Sequence, residues 1–173
     1  MGKLVDTIRA RFADKIVDAH DRQGDETVVV ACDHALEVYR FLRDDPEMAF
    51  GFLIDLTAVD YFGKTPRFEV VGHLFSLPKN HRLRVKVPVD EKDCRAPSLS
   101  SLWKSANWLE REVFDMFGIR FDDHPDLRRI LMYPQFEGHP LRKDYPHNRR
   151  QPIIPERDPV ENPWPPRRLG AAR

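Results

Sequence analysis

The chain has 173 residues and a mass of 20.3 kDa, a length that fits one domain or one domain with a long extension. Hydrophobic residues at 41% and aromatics at 10% exclude a wholly disordered chain, and a globular chain of this size buries roughly 70% of its unfolded surface, enough for a core without metals or disulfides. Lys+Arg and Asp+Glu each number 28, so the formal net charge is zero; that balance gives no argument for nucleic-acid binding and favours association with a partner.

Cys32 and Cys94 stand far apart, with no CxxC or Cys/His cluster, which argues against iron–sulfur and structural zinc sites of the usual spacing. Such sparse cysteines suit a reducing compartment. The first residues lack a signal-peptide apolar region, and Asp6 stands where a myristoylation motif wants Ser or Thr. No window approaches about 18 uninterrupted apolar residues, so nothing is expected to span a membrane.

In chain order, Leu4, Ile8, Phe12 and Ile16 recur every four residues, with Val5 and Val17 beside them, and predict one amphipathic helix. The β-branched run from Glu26 to Cys32 predicts a strand. Asp33 is placed to cap a second helix carrying Leu36, Val38, Tyr39, Phe41 and Leu42, stopped by Asp44-Asp45-Pro46. Three strand-like runs follow, Phe50–Asp60, Arg67–Leu77 and Arg82–Val89. In the last, Leu83, Val85, Val87 and Val89 alternate with Arg84, Lys86 and Pro88, the pattern of a half-buried strand with a basic outer face. Short turn-rich connectors predict an antiparallel meander. From Ser98 a helical stretch is expected, with Leu99, Leu102 and Trp103 leading to a stripe of Trp108, Leu109, Val113, Met116 and Phe117, ended by Gly118. The fold class is α+β, a mostly antiparallel sheet with helices packed on one face, followed by an extended proline-rich C-terminal strap.

The strap is read from proline placement: five of the fifteen prolines precede residue 120 and ten follow it. Each biases its predecessor away from helix. Leu127, Ile130, Leu131, Met132, Tyr133, Phe136, Leu141 and Tyr145 nonetheless give this segment too many large apolar side chains for a solvated tail. The expected division is an α+β body over 1–121, a docking strap over 122–147 packed on its own body or on another protein, and a Pro/Arg-rich mobile tail over 148–173.

Glu110, Arg111, Glu112 and Asp115 share the last helix. They read mainly as a solvated or partner-facing polar side, with Arg111–Asp115 an i,i+4 ion pair. Glu112, between Trp108 and Met116, is the residue expected near the apolar stripe, and if buried it needs a partner such as a strap arginine. The seven histidines form no HxH or HxxxH and are assigned turn and packing roles. Arg128-Arg129 and Arg142-Lys143, beside Asp126, Glu137 and Asp144, suit charge-assisted docking onto a protein. Anion or nucleic-acid binding is the competing reading, and the aromatics do not interleave with a basic sheet face as RNA-binding sheets require. No nucleophile motif appears.

From residue 107 to 146 the chain reads NWLEREVFDMFGIRFDDHPDLRRILMYPQFEGHPLRKDYP. This closely resembles the C subunit family of NADH–quinone oxidoreductase, the 30-kilodalton subunit of respiratory complex I. The matching pieces are Glu110-Arg111-Glu112, Asp115 to Ile119, His124 to Leu131 and Gly138 to Pro146, with further likeness at Asp55–Asp60, Arg67–Val71 and Arg82–Val87. Gln135 departs from the acid usual in relatives, and the segment from His147 to Arg173 departs altogether, so no family role is carried onto it.

The resemblance implies an accessory subunit of the peripheral arm that carries no catalytic residue, metal or cofactor itself. FMN, the iron–sulfur clusters and quinone would sit on partner subunits, and the D-type subunit that shapes the quinone cavity would be the main partner. The complex passes electrons from NADH to quinone, such as ubiquinone, and drives ion translocation in the respiratory chain. The expected location is the cytoplasmic side of the cell inner membrane, or the matrix side in an organelle, held peripherally through the complex and with no role for nucleic acid. The residues assigned to the subunit interface are Arg128, Arg129, Gly138, His139, Pro140, Leu141, Arg142, Lys143, Asp144 and Tyr145. Glu110, Arg111, Glu112, Asp115 and Gly118 form the family-motif helix. The equivalent subunit of a membrane-bound hydrogenase or another donor-linked quinone reductase is the alternative.

Overall fold

The structure, a computed structural model, describes residues 2–153. Helix α1 spans Lys3–Arg11 and buries Val5 and Ile8, with Phe12 at its C-cap also buried. The four-residue stripe therefore forms a helix, but not as far as Ile16. The Phe12 carbonyl accepts the N–H groups of both Lys15 and Ile16, and the chain turns into strand β1, Ile16–Arg22. Here tertiary pairing overrides helical spacing, because Ile16 pairs across to Val30. Val17, at the bulge between Ile16 and Asp18, is exposed rather than beside a helix stripe.

β1 returns antiparallel as β2, Asp25–Val30, through Gln23 and Gly24 at φ 58° and 84°. Two consecutive positive φ values make a tight hairpin turn whose twist matches that of its strands. A 3₁₀ turn, Cys32–His34, leads to α2, Ala35–Asp44. Asp33 lies inside that turn and caps nothing: His34 occupies the N-cap position, with no side-chain capping bond. α2 buries Val38, Tyr39 and Leu42 and ends at Asp45, whose carboxylate accepts the Glu47 N–H at 2.9 Å.

Strands β3 (Phe52–Asp60), β4 (Phe68–Ser76) and β5 (His81–Val89) form the expected antiparallel meander. The five-stranded order is β1-β2-β5-β4-β3, and its single parallel pair is β2 with β5, where Val28 meets Val85. Leu83, Val85, Val87 and Val89 point into the core. Arg84 and Lys86 lie on the opposite face, paired with Asp25 at 3.2 Å and Glu69 at 2.8 Å. Among the described residues, inward residues of the sheet and the buried faces of the helices join in one hydrophobic core.

The helix expected from Ser98 starts later. Residues 98–105 are turns, and α3 spans Ala106–Phe117. Ser98 and Leu99 are held away from helical geometry because both bond to the Glu110 carboxylate. Trp103 is buried, its indole N–H donating to the Phe50 carbonyl at 3.3 Å. Trp108, assigned to the buried stripe, is instead 61% exposed, with the Arg111 guanidinium over its ring at 5.0 Å. Gly118 ends α3 at φ 82°, as its position predicts. Two short strands, β6 (Arg95–Pro97) and β7 (Arg120–Asp122), pair in parallel beside it.

Candidate functional site

Residues 123–153 contain no helix or strand. A segment without a ladder must satisfy its backbone polar groups elsewhere. Here two buried carboxylates of the body accept them, one on α3 and one at the end of β3.

The first is Asp115, fully buried on α3. Its Oδ2 accepts the successive backbone N–H groups of Ile130, Leu131 and Met132 at 3.1, 2.8 and 2.8 Å. Its Oδ1 accepts Arg129 Nη1 at 2.7 Å. Burial pushes this carboxyl up, but the Met132 and Leu131 N–H groups, the Arg129 guanidinium and the Ile130 N–H outweigh it and hold the pKa below the usual carboxylate value. Arg129 Nη2 reaches on to the Gly138 carbonyl at 3.0 Å. His139 Nδ1 donates to the Asp115 carbonyl at 3.0 Å, and the Leu141 N–H to the Met116 carbonyl at 3.1 Å. Burial lowers the His139 pKa, which keeps the ring neutral.

The second is Asp60, held in a bidentate pair with buried Arg67 at 2.8 Å on both oxygens. Asp60 Oδ2 also accepts the Lys143 N–H at 2.7 Å. Arg67 Nη2 continues to Asp144 at 2.9 Å and Nη1 to Glu91 at 2.5 Å. Arg142 meets Asp144 at 3.1 Å and Glu91 at 3.3 Å, its guanidinium 5.2 Å from the Phe68 ring centroid. The Arg67 hydrogen bond leads in depressing Asp60, and Arg67 followed by Arg142 in depressing Asp144. Asp60, Arg67, Asp144 and Arg142 thus rivet the end of the strap to the β3–β4 edge.

Several assigned residues therefore act within the chain. Arg129, Gly138, His139, Arg142 and Asp144 bond internally, and the Lys143 backbone does so too. Tyr145 stacks on Phe136 at 6.0 Å and its hydroxyl meets Gln151. Pro140 is half-buried, while Arg128 is exposed and pairs with Asp126 at 2.6 Å. On the helix the expectations need correcting. Glu112 is exposed, and the strap arginine pairs with Asp115 instead. Arg111 does not pair with Asp115; it donates to the carbonyls of Arg128 and Arg129. Glu110 and Asp115 are buried, not solvated. The core face of α3 runs through Ala106, Glu110, Val113 and Phe117 and leaves out Trp108 and Glu112, while Asp115, on another side of the helix, is buried where it meets the strap. Arg149 and Gln151, assigned to the tail, bond to Glu137; the rest of that tail, 154–173, lies outside the described residues.

Sequence reasoning does not single out Asp60 and Arg67 as a site. The available signal is a charged residue at each inner end of two apolar strands. Among the described residues no group of three or more His, Cys, Asp or Glu is arranged to hold a metal, and no helix is long and apolar enough to cross a membrane. The arrangement is built to fix a surface, with Trp108, Leu131 (55% exposed) and Leu141 (51% exposed) left facing outward.

Residues 28–151 match the family described as respiratory-chain NADH dehydrogenase, 30 Kd subunit. The C subunit of NADH-quinone oxidoreductase from Citrifermentans bemidjiense is 51% identical over 144 residues, 83% of this chain and 88% of the relative. That of Roseiflexus sp. is 51% identical over 143 residues, 83% and 82% of the two chains. Among solved structures, a trypsin-resistant fragment of Nqo5 superposes with a TM-score of 0.63 at 36% identity, covering 72% of this chain and 97% of the fragment. A chain of an archaeal membrane-bound sulfane sulfur reductase superposes at 0.69 and 25% identity, covering 84% and 85%.

Proposed function

The chain belongs to the family of the 30 Kd subunit of respiratory-chain NADH dehydrogenase, and we propose that it is the cofactor-free accessory subunit of an NADH–quinone oxidoreductase, docked on the D-type quinone-site subunit of the peripheral arm. The observation that carries the docking reading is the strap itself. It lacks secondary structure, is pinned by Asp115 and Asp60, and leaves Leu131 and Leu141 exposed, as Trp108 of α3 also is. Exposed large apolar side chains on a rigid segment, flanked by Arg128 and Lys143, have the composition of a protein interface. A pre-ordered strap loses little conformational entropy on association.

In this role the chain does no chemistry of its own. It holds its partners, which carry FMN, the iron–sulfur clusters and quinone, at fixed separation, because a 1 Å misplacement costs a reaction step about 10²-fold. The peripheral position, on the cytoplasmic face of the inner membrane or the matrix face in an organelle, follows from the same reading. The likeness to the sulfane sulfur reductase favours one second reading, the equivalent subunit of another donor-linked membrane complex, such as a hydrogenase.

The test is recovery of the tagged chain from gently solubilised membranes, with mass spectrometry of what accompanies it. Flavin, iron–sulfur and membrane subunits with NADH–quinone activity are expected. A Leu131→Ser/Leu141→Ser variant should lose them while keeping its own melting temperature. A nickel-containing partner would move the chain to the second reading, and recovery of the chain alone would overturn the docking reading.

A further inference from the structure

Glu110 is a buried carboxylate that the strap does not use. Among the described residues its hydrogen-bond partners are neutral: Ser98 Oγ at 2.7 Å on Oε2 and the Leu99 N–H at 2.6 Å on Oε1. From the strap, His124 brings Nε2 to 3.8 Å. That ring is a neutral tautomer, because Nδ1 accepts the Asp126 N–H at 3.0 Å while Nε2 donates to the Asn107 carbonyl at 3.0 Å. From α2, the pKa of buried Tyr39 is raised by burial and then by Glu110, which keeps its hydroxyl neutral. A carboxylate buried without a cation favours its neutral form.

Ser98 Oγ lies 2.7 Å from Ser100 Oγ and accepts the Ser100 N–H at 3.1 Å. Ser100 is half-exposed. This pair satisfies both protonation states without moving a heavy atom. With Glu110 ionised, Ser98 donates to Oε2, and its two lone pairs accept the Ser100 N–H and O–H. With Glu110 protonated, the carboxyl donates to Ser98 Oγ, which still accepts the Ser100 N–H and turns its own proton to Ser100 Oγ.

We propose that Glu110 is a proton-binding site connected to solvent through the Ser98–Ser100 hydroxyl pair. The steps balance. Ser100 Oγ takes a proton from hydronium, Ser100 passes its former proton to Ser98, and Ser98 passes its own to Glu110 Oε2. Each hydroxyl ends with one hydrogen, and one water is released. The site sits where α3, the 98–105 turns and the first strap residues meet, and it does not depend on which partner the chain docks.

The experiment is carboxyl ¹³C NMR of the full chain with labelled glutamate, titrated from about pH 5 to about pH 9. One glutamate resonance should titrate with a midpoint near 7 and be absent in Glu110→Gln. That variant should fold, since its amide donates to Ser98 as the carboxyl O–H does. Ser98→Ala, losing the donor to the ionised form, should raise the midpoint by about one unit. Ser100→Ala, a milder change at a half-exposed position, should raise it by less. A Glu110 resonance that stays ionised down to about pH 5, or a midpoint unmoved by both serine variants, would overturn the proposal.

Discussion

The Asp115 carboxylate on α3 binds Arg129, fourteen residues further along, at 2.7 Å, while its second oxygen accepts the next three backbone N–H groups. One side chain thereby orders four consecutive strap residues that have no ladder of their own. Asp115→Asn replaces an acceptor-only group with an amide that turns a donor toward these N–H groups or Arg129. The expected cost is about 3 kcal/mol, read by urea denaturation, with trypsin cleavage after Arg128 and Arg129 accelerated. Unchanged cleavage would mean that Asp115 does not hold the strap.

Arg67 is the matching anchor on the sheet. Arg67→Ala leaves Asp60 buried without its cation and leaves Asp144 with Arg142 alone, at an expected cost of about 3–5 kcal/mol. Asp144→Ala removes only the strap's side of the rivet, so about 1 kcal/mol is expected. Hydrogen exchange at the Lys143 amide, which donates to Asp60, should accelerate in both variants, while amides in the centre of β4 should respond only in Arg67→Ala.

Gly118 combines two demands. Its φ of 82° favours glycine, and an added Cβ would come within 2.7 Å of the His139 ring. Gly118→Ala is expected to cost about 1–3 kcal/mol and to displace His139, visible as a loss of order at residues 138–141 by NMR. Gly24→Ala serves as the control. Its φ is 84° but its Cβ would meet nothing within 4 Å, so it should carry only the backbone cost and leave the strap in place.

The pH dependence of stability has two opposite components. Asp60, Asp115 and Asp144 have depressed pKa values in the fold. Their stabilisation is full above the unfolded value of about 4 and is lost as pH falls through the folded values. Glu110 is raised to about 7 by burial. Its protonated form is favoured by folding, so its contribution is full below about 4.3 and is lost as pH rises to about 7, a change of roughly 4 kcal/mol. Denaturation at pH 5 and 8 should show wild type losing stability on the alkaline side and Glu110→Gln losing little. Equal slopes would place Glu110 outside this account.

Much of the body was legible because local periodicity reports burial. Leu83, Val85, Val87 and Val89 alternate as a half-buried strand must, Val5 and Ile8 share a helix face, and Gly118 supplies a left-handed helix end. Proline spacing marked a segment that has no helix or strand over residues 123–153. The motif pattern over 107–146 carried the family. Tertiary structure alone decided that Ile16 leaves the helix to pair with Val30, that β2 lies parallel to β5, and that Glu110 and Asp115 are interior while Glu112 is solvated. The reason is physical. An apolar side chain is buried wherever a face exists, which nearby residues reveal. A carboxylate is buried only where remote donors meet it, and Ser98, Leu99, Arg129 and the 130–132 amides reach these two only once the chain has folded.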